Sequence, residues 1–584
     1  MQHSSGGGSH VSINKKLILL VFSFFLLINI ASSGGHFDIW DGTEGFLVTE
    51  SMALKHTAKL DPAIPSVKTL GFDILTSEHD RALRQGIFGV YYIEDVNKLP
   101  PLYTLRSLLL SAIAVPFYYA ATILSASPVT VVGLFVNSLL MSLTSLVIFC
   151  FSLEIYGSRK ISFVLALIYA VCSFVWPYHT TLLPQPLQAL TLITAAFFIY
   201  KSIDEHRQIS CLYHYTRPIK NKGFYYAGLG GLFLGLSLFA HPTSTILIPG
   251  FVIYSILWMR RNNSIKTFLS LLFSFVIALS ITLSFVGLVN YWRFGSYTEF
   301  GYGYEGTLST HTGRTGLIGL LASPGSGLIF FFPISILFPL AMIYMYRENR
   351  GLFFLSAYIV VVNWLYFGTI SGELFWSGGG WGPRYLIPIL PFITIVSGTL
   401  LQRMKKTDHF KYRKLLMKLS IIILSAAGFF VNLLGTLVWV FYGVWYGFLS
   451  DYPYVSMTSY YWDPYYSHFY WDPFYSYIIL QIKALMSGFV SHINPAQWLG
   501  LPVWSSIHQG LAPCPYDVYI YCKFGITPVL LLSAIIAVVA ILIMMEITSR
   551  FNPRIFSSFR KGPYVLVTKI LGDKVMRHVI RKSY

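Results

Sequence analysis

Three carboxylates within seven residues, Asp38, Asp41 and Glu44 in the run HFDIWDGTEGFLVTE (36–50), are the strongest chemical signal in this chain. They follow directly on an apolar segment of spanning length. An acidic group at a membrane face is costly unless water, a cation or a substrate meets it. There, partly shielded from water, a carboxylate can accept a proton from a substrate hydroxyl. Asp41 and Glu44 are three apart and can share a helical face, whereas Asp38 needs an irregular backbone to point the same way. The structural alternative makes Asp41 an N-cap with Glu44 at N3, a variant of the capping box.

Arg384 is the matching cation. It follows Trp381-Gly-Pro and directly precedes the apolar YLIPILPF. A planar guanidinium behind a glycine-rich turn suits two-point contact with phosphate; the ordinary alternative is snorkelling to lipid headgroups. Lys98 and Arg314 are further phosphate candidates, and His179 and His241 lie at other outer edges. A near-repeat, Tyr-Trp-Asp-Pro at 461–464 and 470–473, sets Trp462 beside Asp463 and Trp471 beside Asp472. Sugar hydroxyls can donate to such a carboxylate while the sugar's C–H face stacks on indole. The alternative is an interfacial aromatic belt.

The elements that must position these residues are transmembrane helices. At 584 residues, 55% hydrophobic and 11% charged, the chain has more apolar surface than water tolerates, so the bilayer is its solvent. The predicted fold is all-α and polytopic, with apolar runs at about 17–33, 131–152, 161–178, 186–201, 224–240, 243–259, 266–290, 328–346, 351–369, 384–402, 415–441 and 526–547. That organisation gives a polar N-terminus (1–16), a membrane domain (17–547) with outer loops at about 34–130, 291–327, 370–383 and 444–525, and a basic tail (548–584). A surface helix is expected at about 44–56. The segment GLIGLLASPGSGLIFFFP is apolar but interrupted at Pro324, Gly325 and Gly327, which is tolerated at membrane depth only inside protein or beside a wet cavity.

The net charge of +18 does not indicate nucleic acid, because twelve spans starting from a cytoplasmic N-terminus put about 30 of the 42 Lys and Arg on the inner side. The expected location is the cell membrane, with both termini cytoplasmic and the acidic cluster on the extracytoplasmic face. Parity also makes 102–125 a helix lying in the outer interface, broken near Pro116, because one more span there would turn the basic loops outward. Ala31-Ser32-Ser33 is compatible with signal cleavage, but the nearby acids favour an uncleaved anchor. Cys514 and Cys522 are spaced to allow a disulfide. No P-loop and no strand–GxGxxG–helix unit is present, so the sequence offers no site for ATP or a nucleotide sugar.

In layout and motifs the chain resembles the GT-C superfamily of membrane glycosyltransferases, which includes protein O-mannosyltransferases and aminoarabinose transferases. Asp41 with Gly-Thr-Glu-Gly-Phe looks like the acidic motif of the first outer loop of that group. Lys98-Leu-Pro-Pro-Leu-Tyr103 is similar to its juxtamembrane Lys-Pro-Pro-Leu motif, with Leu99 inserted after the lysine. Leu321-Ala-Ser-Pro-Gly-Ser-Gly-Leu328 and Trp381-Gly-Pro-Arg-Tyr-Leu386 resemble segments of bacterial and archaeal members. The resemblance implies a polyprenyl- or dolichyl-phosphate sugar as donor and a glycan, lipid or protein acceptor on the outer side. It implies an inverting transfer with Asp41 as base, Asp38 and Glu44 beside it, and Arg384, Lys98 and Arg314 on the donor phosphate. Such a donor carries its own leaving group, so no cofactor is required; a divalent metal is compatible with the reaction but not predicted. The competing class is a transporter or flippase for a lipid-linked or small anionic substrate, which interrupted helices also suit. Against it, the acids gather in outer loops instead of at the midplane, and no inverted repeat is visible.

Overall fold

The computed structural model describes residues 15–37, 40–60, 103, 107–211, 222–260, 264–300, 313–370, 380–406, 411–438, 471–486 and 518–548. These form helices and turns, with no β-strand among the described residues. In chain order α1 (Lys15–Ser32), α2 (Trp40–Lys55) and α3 (Leu108–Ile123) precede α4 (Pro128–Tyr156), α5 (Arg159–Cys172) and α6 (Pro184–Cys211). Next come α7 (Lys222–Ala240), α8 (Ile248–Arg260), α9 (Ile265–Phe294), α10 (Gly313–Ala322), α11 (Leu328–Phe331) and α12 (Phe338–Glu348). The chain continues through α13 (Arg350–Ile370), α14 (Leu390–Lys406), α15 (Lys411–Leu437), α16 (Tyr477–Met486), α17 (Tyr519–Phe524) and α18 (Ile526–Thr548).

Where they are described, all twelve apolar runs coincide with helical structure, and among the described residues nine helical segments are long and apolar enough to cross a membrane. The other three runs, 161–178, 243–259 and 328–346, are interrupted. Four 3₁₀ turns, Trp176–Thr180, Pro242–Ile246, Pro333–Leu337 and Arg384–Ile389, break the regular helices. Each contains a proline, which lacks the N–H that a continuing α-helix needs. Because the spans alternate in direction, all four turns fall at the same end of the bundle. The run 328–346 is thus two helices and a turn instead of the single span expected.

That end is also where α1 stops and α4 starts. Asn29 near the end of α1 donates to Ser142 Oγ of α4 at 3.0 Å, and the backbone at Gly35 and His36 lies against Gly133. The chain between α1 and α4 therefore leaves and returns at one end, as the charge asymmetry requires. Within it α3 differs from expectation, because it runs through Pro116 without a break. Pro116 and Ala112, whose carbonyl the proline frees, both lie on the exposed face. The lost hydrogen bond is there open to solvent or headgroups.

The expected surface helix is α2, but it is largely covered. Phe46, Leu47, Val48, Thr49, Glu50, Ser51 and Ala53 are buried. One wall is α3: Ser111 Oγ donates to the Gly45 carbonyl (2.9 Å), Thr49 Oγ1 to the Ser111 carbonyl (3.3 Å) and Tyr119 to the Ala53 carbonyl (2.6 Å). The other wall is the segment before α6. A Cβ at Gly42 would stand 3.0 Å from the Leu182 backbone nitrogen, so a side chain there would have to push this backbone away by a few tenths of an ångström.

The opposite end of the bundle carries Lys16–Glu546 (3.1 Å), Lys201–Glu154 (3.0 Å) and Arg403–Glu348 (3.4 Å). From the basic loops we propose that this end faces the cytoplasm. Single cysteines replacing Ser125 and Lys405 should label from opposite sides of sealed vesicles, Ser125→Cys from outside and Lys405→Cys from inside. Labelling of both from one side would overturn the arrangement.

Candidate functional site

Asp41 and Arg384, 343 residues apart in sequence, form an ion pair at the end of the bundle where the helices are broken. Arg384 Nη1 donates to Asp41 Oδ2 at 3.0 Å. The arginine side chain is 7% exposed and the aspartate 20%, so the pair is covered on the arginine side and open on the carboxylate side. Asp41 lies in the first turn of α2, one residue inside the helix and not at the N-cap position. Its charge there also suits the positive end of the helix dipole.

The Trp-Gly-Pro-Arg run fixes the guanidinium through a different task for each residue. Trp381 is 1% exposed; its indole N–H donates to Asn432 Oδ1 (3.1 Å) and its ring meets Phe331 edge-on at 5.1 Å. Gly382 has φ +69, and a Cβ there would also strike the Phe331 ring, so both conformation and space demand glycine. Pro383, at φ −79 and ψ 79, closes an inverse γ-turn in which the Arg384 N–H donates to the Gly382 carbonyl at 2.9 Å. The Arg384 guanidinium then lies over the Tyr385 ring, 5.2 Å from its centroid, while that ring stacks on Phe367. Arg384 Nε is buried with no hydrogen-bond partner among the described residues.

The other glycine-rich motif joins the same framework. Ser323 Oγ accepts from the N–H groups of Gly325 and Ser326, both at 3.2 Å, which turns the chain from α10 into α11. Pro333 then ends α11, and the Ser335 N–H bonds to Phe332 instead of continuing the α-helix to Phe331. The orphaned Phe331 carbonyl accepts from Asn432 Nδ2 at 2.9 Å. Asn432, wholly buried in α15, thus serves both motifs at once, as broken backbone inside a membrane requires. Tyr178, in the 3₁₀ turn after α5, donates to the Trp381 carbonyl at 3.1 Å and closes the third side.

The remaining candidates do not gather here. His179 is fully buried with its ring held between Ser32 Oγ (3.2 Å) and the Trp176 carbonyl, and His241 caps the turn Pro242–Ile246. Both therefore have packing roles. Glu44 is half-buried on α2, one turn from Asp41. Arg314 opens α10, but its side chain lies outside the described residues, as do Asp38, Lys98, Trp462, Asp463, Cys514 and the Cys522 side chain. Asp472 caps its own turn by accepting from the Phe474 N–H (2.9 Å), next to the partly exposed Trp471. No cluster of three metal-ligating side chains occurs among the described residues.

One buried carboxylate escaped the sequence reading. Glu50 is 5% exposed and accepts from the Tyr118 hydroxyl at 3.1 Å, across the α2–α3 contact. Burial first, and the Glu50 charge second, push the Tyr118 hydroxyl well above its ordinary pKa, so it stays a donor. A signal was present: Phe46, Glu50 and Ala53 have helical i, i+4, i+7 spacing, which puts the acid on the face that packs.

No protein-family model matches the chain. No curated protein matches it either. Among solved structures, the chain is similar to ArnT from Cupriavidus metallidurans bound to undecaprenyl phosphate, at 13% identity and a TM-score of 0.44, over 89% of this chain and 77% of that one. It is also similar to the oligosaccharyltransferase AglB from Archaeoglobus fulgidus in complex with an inhibitory peptide and a dolichol-phosphate, at 11% identity and a TM-score of 0.40. That alignment covers 72% of this chain and 55% of the other.

Proposed function

We propose that this protein is a membrane glycosyltransferase that moves a sugar from a polyprenyl- or dolichyl-phosphate donor to an acceptor hydroxyl on the extracytoplasmic face. The observation that carries the reading is the Asp41–Arg384 pair, buried among broken helix ends and built from the two motifs that resemble the GT-C group. A proton acceptor and a phosphate-binding cation then stand side by side, as the two halves of the reaction require.

The acceptor approaches from the open side of Asp41. Its hydroxyl gives its proton to the carboxylate, its oxygen bonds to the anomeric carbon from the face opposite the phosphate, and the carbon–oxygen bond to the lipid phosphate breaks. The configuration at that carbon inverts, and the bonding pair leaves on the phosphate, where Arg384 offsets the added charge. With Arg384 Nη1 on Asp41 Oδ2, an arriving phosphate competes with the carboxylate for the guanidinium. Donor binding thus frees the oxygen that takes the proton. Glu44, Asp38, Lys98 and Arg314 are supporting candidates, and Trp462, Asp463, Trp471 and Asp472 are proposed to hold the acceptor.

Purified protein supplied with radiolabelled polyprenyl-phosphate sugars and a membrane extract should transfer label to a lipid, glycan or protein. Trp471→Ala should weaken acceptor use while donor binding holds. Vesicles that move the labelled lipid across the bilayer with no new glycosidic bond would sink the enzyme reading in favour of a flippase.

A further inference from the structure

A second site lies at the other end of the bundle, between α8 and α13, far from the Asp41–Arg384 pair. The two helices run antiparallel and touch at two glycines. A Cβ at Gly250 would collide with the Tyr358 ring, and one at Gly351 would stand 3.0 Å from Trp258 and 3.2 Å from Tyr254. Between these contacts the helices part around a cavity of about 580 Å³, within the range of about 300–1,000 Å³ that holds small ligands. Ile253, Leu257, Phe354, Val361 and the rings of Tyr254 and Tyr358 line it. Ile253, Leu257 and Phe354 are about half exposed and form its bilayer-facing rim.

Two features identify an occupant. From Gly250 to Arg260 the helix rises roughly 15 Å, half of a hydrocarbon core about 30 Å thick, so the groove is one leaflet deep. Arg260 ends α8 three residues past Leu257 and Arg350 begins α13 four before Phe354, so helical spacing puts both exposed arginines on the groove's face just beyond its lining. Arg350 also lies over the Tyr346 ring (5.1 Å), and among the described residues no carboxylate pairs with either arginine. An apolar slot one leaflet deep under two arginines matches one acyl chain under an anionic headgroup.

We infer that the α8–α13 groove binds an anionic glycerophospholipid, with one acyl chain between Gly250 and Gly351 and the phosphate on Arg260 and Arg350. This site is separate from the proposed transfer reaction and stands whether or not that reading holds. Detergent-purified full-length protein would be titrated with phosphatidylglycerol or phosphatidylcholine and bound lipid counted by native mass spectrometry. One phosphatidylglycerol should be retained in preference to phosphatidylcholine. The double variant Arg260→Gln/Arg350→Gln should weaken that retention roughly 30-fold, each arginine contributing as a basic residue at a membrane surface does. Ala357→Phe, which fills the groove, should abolish retention while Arg260 and Arg350 remain. Equal retention of the two lipids, retention unaffected by the arginine changes, or displacement by polyprenyl phosphate at equal concentration would each overturn the assignment. Should Ala357→Phe not fold, the arginine variant decides alone.

Discussion

Asp41→Asn should reduce sugar transfer by about 10²–10⁴-fold, the usual contribution of a positioned general base, with folding and membrane insertion unchanged. The asparagine keeps a side-chain oxygen that can accept from Arg384 Nη1, now 3.0 Å from Asp41 Oδ2, so the helix end and the γ-turn have no reason to move. What disappears is the capacity to take a proton. Single-turnover transfer with donor bound is the relevant measurement, because it separates chemistry from donor affinity. Near wild-type turnover would remove Asp41 as the base and leave Glu44 and Asp38 as the acids to test. Loss of monodisperse protein without a specific rate defect would instead give the carboxylate a purely structural role, holding Arg384 in place.

Arg384→Lys keeps the charge and removes the fork, and it should lower the transfer rate roughly 10²–10³-fold, as loss of one preorganised donor at a developing anion does. In the protein, Nη1 is engaged with Asp41 while Nε remains a buried donor with no partner among the described residues. A lysine ammonium can replace one of these directions but not both, and it loses the flat contact with the Tyr385 ring. Donor affinity should fall with the rate, since the same contact holds the ground-state phosphate. If the lysine variant matches wild type in both, Arg384 acts as a simple counter-ion to Asp41. Arg384→Leu would be less informative, because it strands a partly buried carboxylate and mixes instability with lost chemistry.

The motifs were legible because membrane depth penalises glycine and proline unless they have a task. Trp381-Gly-Pro-Arg stood out in sequence for its composition, and the structure supplies a reason for each residue: an anchored indole, a left-handed turn, a γ-turn and an ion pair. Asn432 carried no such mark. A single asparagine in an apolar run looks like any polar residue in a span. Beyond the Gly428 carbonyl of its own helix, its partners are Trp381 and the Phe331 carbonyl, from segments 51 and 101 residues away.

Sequence alone determined the helical class and the twelve apolar runs, and set the expectation that the acids gather at the outer end. These follow from local quantities: the length of apolar runs against bilayer thickness, and the uneven placement of Lys and Arg between them. Tertiary structure alone decided that Asp41 meets Arg384, that α2 is a covered helix instead of a surface one, and that Glu50 lies buried against Tyr118. The periodicity of α2 announces a helix but not what packs on it, and that answer lies in α3, 62 residues away where Thr49 meets Ser111. Partners distant in sequence are chosen by how the helices pack, and lipid, as apolar as the helices themselves, leaves that choice to close fit and to polar groups that must be satisfied.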